Sequence, residues 1–135
     1  MVSFDGQSVF YAKFHHMARG EAHMSKLRSR EGADIYKVHV RTREVVRLTR
    51  QEKTPNTGAI LEGEESHPRG VHNLAPCPVP GGRIVFVSDR NGFRGVREQT
   101  QPALQLFVMD DDGSNVEHTG PLNLGTALHP VALAD

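Results

Sequence analysis

The residues best equipped for chemistry are eight histidines, one cysteine and a short basic run. Imidazole and thiolate are ligand types that zinc prefers, and imidazole also serves other transition metals. Cys77, His72 five residues before it, and His129 farther on are the candidate metal ligands. Their spacing is no zinc-finger signature, and the chain has no Cys-x-x-Cys pair. The competing reading makes Cys77 a small buried hydrophobe and the histidines solvated loop residues. The run from Arg90 through Arg94 to Arg97 surrounds Phe93, and its planar guanidinium groups suit an anion or a partner's carboxylates. Asp89 and Glu98 flank that run and are placed to neutralise it locally.

Other chemistries drop out on spacing. The stretch Asp110-Asp-Asp-Gly-Ser-Asn has the acids of a calcium loop, but Asn115 stands where the loop's sixth-position glycine belongs. It reads as an Asp-Gly hairpin turn. There is no Gly-x-Ser-x-Gly elbow and no Cys-x-x-Cys-His haem-attachment motif. Acidic and basic residues balance at 16 each, so no net field favours nucleic acid. No apolar run approaches the ~20 residues that span a bilayer. A single cysteine excludes an internal disulfide.

The elements that would position these residues come as a repeat. Ser3 to Ala12, Asp34 to Val40 and Glu44 to Thr49 form a Gly turn, a strand, a loop, a second strand and a short third one. Val79 to Ser88, Leu104 to Asp110 and Val116 to Thr119 form the same series again. Strands are predicted near 7–13, 34–40, 44–49, 73–79, 83–88, 104–109, 116–119 and 126–133, from period-2 alternation and flanking turn dipeptides. Residues 17–30 are helix-compatible, and 50–72 read as a long loop rich in Pro and Gly. Such a repeat predicts an all-β chain, a partial β-propeller of about two four-stranded antiparallel blades, because one blade cannot bury its faces without neighbours.

The repeat also has a phase. Asn73 to Val79 leads into the second copy, and Ala127 to Asp135 resembles that lead-in, with Pro130 aligned to Pro76, a shift of 54 residues. The organisation expected is therefore the last three strands of one blade in 1–49, the long loop 50–72, a complete blade in 73–119, and the first strand of the next in 120–135. That makes the chain a slice of a larger propeller, whose open edges would leave the isolated piece oligomeric, molten or insoluble.

Strand direction alternates in such a sheet, so successive connections fall on opposite ends. Tight turns gather at one end and the long connections 14–33, 50–72, 90–103 and 120–125 at the other. His15, His16, His23, His67 and His72 lie in or beside long connections, and His129 near that end of its strand; only His39 and His118 fall elsewhere. Binding residues concentrate on long loops held by rigid strands, so His15, His16, His67, Arg90, Arg94 and Arg97 are the candidate ligand-binding face.

Pro80-Gly-Gly-Arg-Ile-Val-Phe-Val-Ser-Asp-Arg, followed by Leu104 to Asn115, resembles the WD40-like repeat of TolB-type propellers. More narrowly, Asn73 to Gly82, Asp89 to Arg94 and Leu122 to Pro130 resemble the hydrazine synthase alpha-subunit middle domain and its relatives in planctomycete-type bacteria. That resemblance implies an exported, periplasmic multidomain protein, with the propeller beside haem-bearing regions and with the remaining blades and domains as its partners. Three functions follow as expectations. The first is a scaffold and binding module without activity of its own or a confident cofactor. The second is a contributor to a redox site, with zinc or a neighbouring haem in the parent protein. The third is a TolB-like propeller that captures a protein or peptide.

Overall fold

A computed structural model describes residues 1–15, 32–51, 70–93, 102–119 and 126–133. Seven strands run in chain order: β1 Ser8–Phe14, β2 Ala33–His39, β3 Val45–Arg47, β4 Asn73–Val79, β5 Arg83–Ser88, β6 Gln105–Asp110 and β7 Glu117–His118. They form two antiparallel sheets, one ordered β1-β2-β3 and the other β4-β5-β6-β7, and neither closes on itself. The described residues contain no α-helix, and so none long and apolar enough to cross a membrane. The helix-compatible stretch 17–30 and most of the loop 50–72 lie outside the described residues.

Turn chemistry sets where the strands begin. Before β1, Asp5 Oδ1 accepts the Ser3 hydroxyl at 2.6 Å and the Gln7 N–H at 2.9 Å, while Gly6 supplies φ 68°. Those bonds hold the Asp5 carboxyl below its ordinary pKa, the Ser3 hydroxyl contributing most. Between β4 and β5, Gly81 and Gly82 take φ of 87° and 71°, which residues with a Cβ avoid. Between β6 and β7 the three aspartates make a turn: Asp112 Oδ1 accepts from Ser114 N–H and Oγ, and Asp110 Oδ2 accepts from Asn115 Nδ2.

Two sheets result because each is apolar on the side facing the other. Phe10, Ile35 and Leu48 from the first meet Ile84, Phe86, Phe107 and Met109 from the second in one buried cluster. Burying such side chains contributes roughly 1.5–3 kcal/mol each. At the tight-turn end, Lys37 Nζ reaches Asp111 Oδ2 at 2.8 Å and lies 5.7 Å from the Phe10 ring centroid. The pair is half exposed and adds at most about 1 kcal/mol. β4 is an edge strand with a bulge between Leu74 and Cys77, and its Pro76 and Pro78 are tolerated because one side of it has no partner in the sheet.

The second sheet repeats the first with a measurable offset. Ala33 bridges His72 in parallel, and 71 and 54 residues on, respectively, the Ala127 N–H donates to the Leu104 carbonyl at 2.8 Å, the bond that the same bridge would make. Ala75 and His129, also 54 apart and each followed by proline, both take positive φ, 48° and 51°. In this spatial register Tyr11 and Tyr36, directly opposed and stacked at 5.6 Å, match Phe86 and Phe107, opposed and stacked at 5.8 Å. The segment 126–133, expected as a strand, makes no ladder among the described residues. It shares β4's first bond and its left-handed step before proline, and among the described residues no second strand lies beside it.

Gly113 fixes how closely the sheets approach. Its φ is 90°, and a Cβ there would collide with the Leu48 carbonyl oxygen. Gly113→Ala should therefore cost about 2–3 kcal/mol, combining strain and overpacking. Gly81→Ala, with nothing within 4 Å, should cost only its backbone strain, about 1 kcal/mol. Urea unfolding of both variants checks the difference; equal losses would mean that the turn does not press on Leu48.

Candidate functional site

Polar side chains are buried together where the strands meet the long connections. Asp34, second residue of β2, is fully buried, and its carboxylate has five partners. Oδ1 takes the Thr49 hydroxyl at 2.6 Å, the Gln51 N–H at 2.9 Å and Asn73 Nδ2 at 3.3 Å. Oδ2 faces His15 Nε2 at 2.8 Å and Arg47 Nη2 at 2.5 Å. Thr49 also accepts the Ile35 N–H, so the residue just beyond β3 locks the start of β2. A buried carboxylate is tolerable only with such partners.

Asn73, first residue of β4, carries the network into the second sheet. Its Oδ1 accepts the Ser88 hydroxyl at 2.9 Å and Arg90 Nη2 at 2.8 Å. Asp89 is buried beside His72, accepting the His72 N–H at 2.7 Å and pairing with its Nδ1 at 2.9 Å. Arg90 is 4% exposed. Its guanidinium lies 4.8 Å from the Phe107 centroid and 5.3 Å from that of Phe86, a cation–π arrangement. Burial pulls its pKa down to about 10, against the opposing pull of Asp89 and Asp34, so it remains charged at neutral pH. Nearby, Asn91 Nδ2 donates to Gln105 Oε1 at 2.6 Å.

The sequence candidates are distributed as follows. His15, His72 and Arg90 all enter this polar layer, each facing a buried carboxylate or amide. Arg90 points between the sheets, among Phe86, Phe107 and Asn73. Cys77 is buried on the outward side of the second sheet, where it lines a cavity of about 400 Å³ with Val79, Val85, Leu106 and the segment 127–132. His129 is exposed and not part of that lining. Among the described residues no group of three or more His, Cys, Asp or Glu is arranged to hold a metal. His16, His23, His67, Arg94 and Arg97 lie outside the described residues. His39 sits at the tight-turn end, and His118 packs edge-on against Phe107 at 5.1 Å.

Sequence reasoning passed over Asp34, Thr49, Asn73, Gln105 and the structural part of Asp89. One signal was present: Asp34, Asn73, Ser88 and Gln105 are polar residues within two positions of a strand end, all at the same end. Chemically, the layer can orient an imidazole against a carboxylate and present a fixed donor–acceptor pattern to whatever the long connections hold.

Fold and site together define an all-β protein of two stacked antiparallel sheets, tied by a buried polar layer at the long-connection end. Compared with protein-family models, with curated proteins and with solved structures, the chain matches none.

Asn73 is bonded to both halves of the layer. Asn73→Ala should destabilise the protein by about 2–4 kcal/mol, since it removes one donor from a buried carboxylate and one acceptor from a buried cation. Combined with Arg90→Met in a double-mutant cycle, it should show a coupling of about 1 kcal/mol or more. Additive losses in urea unfolding would show that Asn73 and Arg90 are not energetically linked.

Proposed function

We propose that this chain is a scaffold and binding module of β-propeller type, without catalysis of its own, that binds at its long-connection end. One observation carries the reading: the relation between the first and second sheets starts to recur beyond the second. The Ala33–His72 bridge is followed by the Leu104–Ala127 bond, and the left-handed Ala75-Pro76 step by His129-Pro130. Sheets related by one repeated step, each apolar on both faces, are what a blade series requires. The buried polar layer supports the choice of end, because bonds to Gln51, His72, Arg90 and Asn91 hold the ends of two long connections there. The narrower reading, kinship with the hydrazine synthase alpha-subunit middle domain and hence export, rests on the sequence resemblance alone.

A peptide library displayed on phage and selected against the intact chain, followed by amide shift mapping, tests the binding end. Selected peptides should move the amides of Gly32, Gln51, Gly70 and Gly92 and spare those of Gly6, Gly81 and Gly113. Shifts confined to the tight-turn end, or no selected binder, would overturn the assignment.

A further inference from the structure

The molecule contains one complete sheet-to-sheet interface and the two separate halves of another. Inside, Phe10 and Ile35 of the first sheet pack on Ile84, Phe86, Phe107 and Met109 of the second. The spatial register maps Phe10 and Ile35 onto Val85 and Leu106, which line the outward cavity of the second sheet. It maps Ile84, Phe86, Phe107 and Met109 onto Val9, Tyr11, Tyr36 and Val38, on the outward side of the first sheet. Every equivalent is apolar or aromatic, and Tyr11 is 37% exposed. The two outward sides are thus built to fit one another.

The segment 126–133 adds a second, independent match. It lies over the outward cavity as β4 lies beside the first sheet, and it exposes Leu128, Val131 and Leu133 at 63%, 70% and 89%. β4 pairs with β5 through Leu74 opposite Val87 and Cys77 opposite Val85. Applying the same offsets places Leu128 opposite Ala12 and Val131 opposite Phe10, on β1. β1 is an edge strand, and Met1 to Ser3 cover only its Ser8–Phe10 portion, through bonds such as the Phe10 N–H to the Met1 carbonyl at 2.8 Å.

We propose that these surfaces join a second copy of the chain head to tail. Residues 126–133 of one copy add to β1 of the next as an antiparallel strand, displacing Met1 to Ser3. The outward side of the first copy's second sheet then covers the Tyr11–Tyr36 pair of the next copy. Strand addition satisfies an open edge, and the contact is heterologous, so further copies can follow until a ring closes. The inference rests on the repeated-sheet reading above, but it adds a specific partner and register.

Two single-cysteine proteins test it, Ala12→Cys and Leu128→Cys, each in a Cys77→Ala background. Mixed under mild oxidation, they should form a mixed disulfide, because directly opposed cross-strand Cβ atoms come within about 4.5–5.5 Å. Lys13→Cys in place of Ala12→Cys should lose that disulfide, because a one-residue slip turns the thiol to the other face. Sedimentation of the unmodified chain should show concentration-dependent association, which Tyr36→Lys abolishes while far-UV circular dichroism stays unchanged. A chain that stays monomeric, or one that cross-links equally through Lys13→Cys, overturns the proposal. The peptide-mapping result would stand in either case, since it reads a different end of the sheets.

Discussion

Everything in this structure follows from sheets that are apolar on both faces. An antiparallel sheet with one polar side can face water, and its strands alternate accordingly. Here Ile84, Phe86, Phe107 and Met109 fill one face of the second sheet, and Val85, Leu106 and Cys77 fill the other. A single such sheet leaves a large apolar surface wet, so it folds only with a neighbour. The Phe10–Ile35–Leu48 face supplies that neighbour on one side. The same constraint makes the outward sides, with the Tyr11–Tyr36 stack on one and the 400 Å³ cavity on the other, the most consequential exposed parts of the protein.

Polar groups have to be accommodated inside that apolar stack, and they are collected at one end. Asp34 would be costly in the layer without its ring of donors, and Arg90 without Asn73, Ser88 and two aromatic faces. Because Asn73 touches both, the polar layer is a single unit across the sheets. The bonds at that end fix where the long connections leave and rejoin the strands.

Much of this was legible in the chain. The strands near 34–40, 73–79, 83–88 and 104–109 lie within a residue of β2, β4, β5 and β6, because Gly turns and period-2 patterns are local signals. The third strand shrank from 44–49 to Val45–Arg47, since Leu48 and Thr49 turn away into the core and onto Asp34. The repeat itself was visible, but its register was not. Written letter under letter, the copies pair Phe10 with Phe86; in space those rings share one layer, and Tyr11 is the match for Phe86. One residue of slip reverses which face every side chain takes.

The sequence by itself determined the elements: an all-β chain, its turns, its doubled pattern, and the sorting of long and short connections to opposite ends. Turn dipeptides and alternation act over a few residues, so they are readable without coordinates. Only the tertiary structure decided the roles of the chemistry-bearing residues. It set His15 and His72 against Asp34 and Asp89, drew Arg90 between Phe86 and Phe107, and placed Cys77 on the far side. Those roles depend on which face each strand presents and which sheet lies against it. Such contacts join residues as distant in sequence as Asp34 and Asn73, and no local pattern encodes them.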